Sequence, residues 1–299
     1  MAIPKNYIKH PNLFIIGCPR CGTTSLARWL AEHPDVFFFV GRDKYTKIEP
    51  HYWCSDLNTQ GRMNKKTYFR IFKNKDTFKH AGEASTWYLY SQEAIKNIER
   101  AIYSPKYILL IRNPIELVYS LWNFRFSSGR EEANFLKAFH NPKYTSKLYD
   151  YKSIGKISYK LERLYNLVPQ NRILVLILDD IKKNPTKQWK KVTQFLDIKN
   201  FKVNLVAYNA NRIPRNRLTG VLYRTFVSFA QKTARFRIRS GLYNLGIQGK
   251  IKNILLNNNP IEVKKMPYHI REILLNEFLS EIERLEKLLN RKFDSWKIR

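Results

Sequence analysis

Cysteine is scarce in this chain: Cys18, Cys21 and Cys54 are the three thiols among 299 residues. That usage offers no disulfide framework and fits a reducing compartment. Long apolar runs are missing as well. No stretch approaches the roughly 18 apolar residues of a transmembrane helix. The opening MAIPKNYIKHPNLFIIG holds an apolar run shorter than the ~7 to 15 residues of a signal-peptide core. The expectation is a soluble, cytoplasmic protein. Acidic residues are the third shortage, 24 Asp and Glu against 54 Lys and Arg, a formal net charge of +30. Such an excess attracts nucleic acid, anionic lipid, acidic glycans and phosphorylated cofactors alike, and does not choose among them. The basic residues are scattered along the chain, as a compositional bias would leave them.

What is present suffices for a large core: 44% of the residues are hydrophobic and 14% aromatic, with neither internal repeats nor low-complexity linkers. Leu13–Gly17 (LFIIG), Tyr107–Ile111 (YILLI) and Ile173–Leu178 (ILVLIL) read as fully buried strands. After the first, Thr24–Glu32 has helical spacing at Leu26, Trp29 and Leu30. After the second, Asn113-Pro114 opens a helix over Ile115–Phe126, with proline at the first helical position. Apolar runs alternating with helical patterns predict an α/β fold in three layers, a parallel sheet flanked by helices, with ligands at the carboxyl ends of the strands. A strand or turn is expected after His33-Pro34. Residues about 209–260 form a basic, aromatic-rich region of weak periodicity. A helix over about 268–290 carries Ile273, Leu274, Phe278, Ile282, Leu285 and Leu289 along one stripe suited to packing.

Between the first strand and helix stands Gly17-Cys-Pro-Arg-Cys-Gly-Thr-Thr24. It has the frame of a phosphate-binding loop, G-x-x-x-x-G-K-[ST], with Thr23 in place of the lysine. Gly17 and Gly22 let the backbone curl so that its N–H groups converge on an anion, and the following helix adds about half a positive charge. Arg20 supplies the missing cation, so the loop suits a phosphate-like group without the usual magnesium apparatus. Two other readings compete. Cys18, Cys21, His51 and Cys54 have zinc-like local spacing, and Cys18-Pro-Arg-Cys21 at a helix start suits redox chemistry. Neither needs a buried strand before the loop or Gly-Thr-Thr after it.

The stretch IIGCPRCGTTSL followed by AEHPDVFF resembles the phosphosulfate loop of the sulfotransferase family, whose donor is 3′-phosphoadenosine 5′-phosphosulfate (PAPS). The resemblance implies a P-loop-like fold over 1–299 as a single domain. It implies that Arg20, Cys21, Gly22, Thr23, Thr24 and Ser25 bind the cofactor, with Arg20, Thr23 and Thr24 on the 5′-phosphate and departing oxygen. KYILLIRNPIELVYSLW is similar to the family's 3′-phosphate motif and implies that role for Arg112 and Ser120. An arginine ending a strand also offers an anion contact, not a metal ligand. Lys47-Ile-Glu-Pro-His-Tyr-Trp53 resembles the segment that supplies the base in the carbohydrate-directed branch, which puts Glu49 in that role with His51 in reserve. Gly82-Glu-Ala-Ser-Thr-Trp-Tyr-Leu89 is similar to the substrate-cleft stretch, although Ala84 stands where some members carry an active-site lysine. The LEKLLNRKFDSW stretch resembles the closing helix and tryptophan. Arg212 and Arg215, in NANRIPR, resemble the loop that covers the nucleotide.

The resemblance implies in-line sulfuryl transfer from PAPS to a hydroxyl or amine of a carbohydrate or glycolipid acceptor, with no metal required, and with peripheral membrane contact open. Two rivals remain at the level of the sequence. One is a kinase, with Asp179 or Asp180 binding magnesium at the end of the third strand. The other is a polyanion or nucleic-acid binder working through Tyr223, Arg224, Phe226, Phe229, Arg235, Phe236, Arg237 and Arg239. No recognised nucleic-acid motif accompanies that stretch.

Overall fold

The computed structural model describes residues 11–41, 49–59, 61–141, 147–207 and 266–298. The chain runs β1 (Leu13–Gly17), α1 (Thr23–Ala31), β2 (Val36–Phe39), α2 (Lys65–Phe72), β3 (His80–Ala84), α3 (Ala94–Ala101), β4 (Lys106–Ile111) and α4 (Pro114–Ser127). It continues through α5 (Phe135–His140), α6 (Tyr151–Gly155), α7 (Ile157–Leu167), β5 (Ile173–Ile177), α8 (Leu178–Lys183), α9 (Pro185–Leu196) and α10 (Tyr268–Leu289). The strands form one sheet in the order β2-β3-β1-β4-β5, and every pairing is parallel. Among the described residues no helix is long and apolar enough to cross a membrane.

The strands form where the apolar runs predict: β1 and β4 from Tyr107 on are buried, whereas β5, at the edge of the sheet, leaves Leu174 and Val175 half-buried and so is not the fully buried strand expected. Asn113 accepts a hydrogen bond from the Ile115 N–H at 3.0 Å and caps α4, with Pro114 in its first turn. The third strand ends one residue earlier than expected, because Leu178 already begins α8 and packs 3.1 Å from the Cβ position of Gly22. The expectation after His33-Pro34 resolves as β2. The strand that the apolar pattern passes over is β3, His-Ala-Gly-Glu-Ala, which has no large hydrophobic side chain. It is a strand because it lies between β2 and β1, and because Gly82 lets the backbones close: a Cβ there would stand 2.4 Å from the Leu13 carbonyl oxygen.

Helix α10 packs on α7 and α4. It buries Ile270, Leu274, Leu275, Phe278, Ile282 and Leu285, whereas Ile273 and Leu289 sit half-buried at the edge of the stripe. Beyond it, the Trp296 carbonyl accepts from the Asn113 amide at 3.2 Å, and the Trp296 ring nitrogen donates to Asp179 at 2.9 Å. Asp180 takes a two-pronged contact from Arg291 at 2.5 and 2.8 Å. Both acids of the kinase reading are therefore occupied by the C-terminal segment.

Candidate active site

Parallel strands direct their carboxyl ends to one edge, and the site grows from three neighbours there: β3, β1 and β4. At the end of β1 the Cys18 N–H donates to the Leu110 carbonyl at 2.6 Å, which ties the start of the loop to β4. The pairing register of β1 with β4 shifts between Ile15 and Gly17, so the chain leaves the sheet there. Gly22, at φ 85°, turns it into α1 through a conformation that side chains resist. Helix α1 begins with no side-chain cap and no acidic residue in its first turn. Its leading N–H groups and dipole are thus left to an anion. Thr23 and Ser25 are buried in that first turn, and Thr24 is half-buried.

Two arginines converge on this helix start. The Arg20 Nε–H reaches Ser120 Oγ at 3.5 Å, and the Arg20 guanidinium lies over the Phe124 ring at 4.7 Å. Arg112, just beyond β4, donates from Nη1 to the Arg20 carbonyl at 3.2 Å. Burial, reinforced by the neighbouring charge of Arg112, lowers the pKa of Arg20. Glu116 offsets part of the charge, 3.6 Å from Arg112, but shares its carboxylate with Arg271 at 2.8 Å. The structure thus brings together Arg20, Arg112 and Ser120, which are 100 residues apart at the widest. Phe124, one helical turn beyond Ser120, joins them as a platform for a guanidinium.

Over the end of β3, Glu49 Oε2 accepts from Thr86 Oγ at 3.0 Å and faces His51 Nε2 at 3.1 Å. Glu49 is about one-third exposed, whereas His51 is buried and its Nδ1 has no hydrogen-bond partner. The Ser85 N–H donates to the Ile15 carbonyl at 2.9 Å, which anchors this side to β1. Glu49 therefore sits over the strand adjacent to the one that launches the loop, a lateral step of about 4.8 Å per strand. Thr86 is the partner that spacing alone does not single out, since it meets Glu49 only through the fold.

The Cys21 thiol meets that of Cys18 within the loop. Burial raises Cys21 well above the ordinary thiol range and pushes Cys54 up to about 12, so both are held as neutral thiols. Cys54 donates to the His51 carbonyl at 3.3 Å. Among the described residues there is no group of three or more His, Cys, Asp or Glu side chains that could hold a metal ion. Arg212 and Arg215, and the aromatic-basic stretch of the nucleic-acid reading, lie outside the described residues.

Comparison with known proteins joins these observations. A family model described as a sulfotransferase domain matches residues 10–211, well over half of the chain. A membrane-associated sulfotransferase of Dictyostelium discoideum, kil1, is 27% identical over 114 residues, covering 38% of this chain and 23% of that protein. The match thus spans about a quarter of that relative's length. The crystal structure of a sulfotransferase from Alicyclobacillus acidocaldarius superposes with a TM-score of 0.70 at 18% identity, covering 97% of this chain and all of that one. A sulfotransferase domain from the curacin biosynthetic pathway gives 0.50 at 13% identity, covering 96% of this chain and all of that one. These two likenesses concern the fold, a parallel five-stranded sheet flanked by helices. The loop, the arginine beyond β4 and the extent of the family match agree, and the chain belongs to the sulfotransferase family.

Proposed function

We propose that this protein moves a sulfuryl group from PAPS to a hydroxyl or amine of an acceptor, a carbohydrate or glycolipid, with Glu49 as the general base. The observation that carries the reading is the convergence of Arg20, Arg112 and Ser120 on the uncapped, acid-free start of α1. Two neighbouring cations and the uncapped start of a helix suit a ligand with two phosphates, so these residues fit the donor. When bound, PAPS supplies the sulfuryl group and a phosphate leaving group.

The loop Cys21–Ser25 and its hydroxyls at Thr23 and Thr24 would hold the 5′-phosphate, with Arg20 stabilising charge on the departing oxygen. Arg112 and Ser120 would hold the 3′-phosphate, and Arg212 and Arg215 would cover the nucleotide. Glu49, partly open to solvent, would accept the acceptor's proton. Thr86 and His51 orient its carboxylate, and His51 is the reserve base. Because the arginines carry the charge stabilisation, no metal is invoked. Asp179 and Asp180, engaged by Trp296 and Arg291, give the kinase alternative no support. We place the protein in the cytoplasm on its sparse cysteines, and its basic surface suits contact with anionic lipid. Cell fractionation tests both.

The decisive measurement is calorimetric titration with 3′-phosphoadenosine 5′-phosphate in metal-free buffer, beside ATP with magnesium. Binding of the bisphosphate is expected without metal, weakened roughly tenfold to a hundredfold in both Arg112→Ala and Arg20→Ala. Binding of ATP with magnesium alone overturns the reading. With an acceptor found by screening labelled PAPS, Glu49→Gln should lower turnover by about 10²–10⁴-fold at unchanged nucleotide affinity. Full turnover in that variant removes Glu49 from the mechanism.

A further inference from the structure

Beneath the Glu49–His51 pair, three hydroxyl relays end on one carboxyl group that has no solvent contact, that of Glu83. The His51 N–H donates to Ser85 Oγ at 2.9 Å, and Ser85 donates to Glu83 Oε2 at 2.8 Å. The Trp53 N–H donates to the Tyr88 hydroxyl at 3.3 Å, and Tyr88 donates to Glu83 Oε1 at 2.7 Å. The Trp53 ring N–H donates to the Tyr68 hydroxyl at 2.8 Å, and Tyr68 donates to the same Oε1 at 3.3 Å. Each hydroxyl has a single proton, and each already accepts an N–H from the 51–53 segment. All three hydroxyls are thus placed to donate to Glu83, and an ionised carboxylate, with no proton of its own, accepts from all of them at its two oxygens. A proton on Glu83 would meet a hydroxyl whose own proton points the same way, and one relay would break.

We propose that Glu83 is a positioning residue for the base: its carboxylate, acting through Ser85, Tyr88 and Tyr68, fixes the backbone of His51 and Trp53 and so aims His51 and Glu49, and its protonation releases that segment. The catalytic meaning of this inference rests on the proposed role of Glu49; the anchoring does not. Several ionisable groups face Glu83. Tyr68, from α2, and Tyr88, from the turn after β3, are raised by burial and remain neutral donors. Cys54, pushed up to about 12, stays a neutral thiol. Glu83 itself is raised to about 7 by burial, against its hydroxyl donors and the nearby His51. His51 faces Glu83 as well, so the test must separate the two.

The experiment is site-resolved amide hydrogen exchange, corrected for intrinsic rates, on the full chain at pH 6 and pH 8. Protection of the His51 and Trp53 amides is expected to rise roughly tenfold between those values in the wild type, the worth of about one hydrogen bond. In Glu83→Gln it should be low at both. Ser85→Ala should lower protection at His51 alone and Tyr88→Phe at Trp53 alone, which keeps the test open if Glu83→Gln folds poorly. A pH step that persists in Glu83→Gln assigns it to His51 and overturns the proposal. Unchanged protection in both single-relay variants overturns it too. Once an acceptor is known, Glu83→Gln should lower kcat while leaving the KM for PAPS unchanged and flatten the pH 6–8 limb of the profile. Failure of the wild type to bind the bisphosphate would sink the sulfotransferase reading and leave the exchange result to judge Glu83 separately.

Discussion

A carboxyl group without solvent keeps its proton longer than one in water, and Glu83 keeps its own to about pH 7 in the folded chain because burial outweighs the hydroxyls that favour the anion. The ordinary value is 4.5. Between these values the folded state holds a proton that the unfolded state has released. The stability tied to this group is thus complete below pH 4.5, declines as pH rises to 7 and is level above. The wild type should therefore lose on the order of 5 °C of melting temperature between pH 5 and 7 relative to Glu83→Gln. Parallel pH slopes for the two proteins in scanning calorimetry would contradict this. Global stability and local order at His51 thus move in opposite directions over one pH range. In the sequence, Arg20 was readable as the cation of a glycine loop and Arg112 as an arginine ending a buried strand, whereas Ser120 came only through the resemblance to the family's 3′-phosphate motif. The partners of Glu83 were not readable, because Tyr68, Trp53 and Tyr88 meet only after α2 and the turn after β3 have folded back over one another.

The elements show the same division. Strands β1 and β4 announce themselves as unbroken apolar runs because they are central, β5 as an apolar run at the sheet's edge, and α4 through Asn113-Pro114. Strand β3 does not, since its five residues include His80, Gly82 and Glu83. Small and polar residues are needed there: Gly82 admits the Leu13 carbonyl, and Glu83 carries the anchor. Gly82→Ala should drive a methyl against that carbonyl and against the Phe38 ring, which would lie 2.9 Å away. The expected cost is about 1–3 kcal/mol, read from the urea midpoint. An unchanged midpoint would mean that β1 and β3 are not pressed together as described. The α10 stripe packs as the sequence suggests, with Ile273 and Leu289 half-buried against the core at its edge. Ile270 and Leu275, outside that stripe, are buried as well, because the helix meets both α7 and α4.

At the scale of the whole molecule, the excess of basic residues said only that anions would be attracted; the fold says where two of those charges are aimed. Of 54 lysines and arginines, Arg20 and Arg112 are brought side by side at an open helix end, with the Ser120 hydroxyl 3.5 Å from Arg20 Nε. On the proposed function, the groups they would grip are phosphates, which the nucleotide would keep when its sulfuryl group departs. Among the described residues, Arg20, Arg112 and Ser120 would meet the phosphates of a loaded nucleotide and of a spent one alike. The product should consequently occupy the site about as readily as the donor, so that a cell using this protein must clear the used nucleotide to keep it turning over.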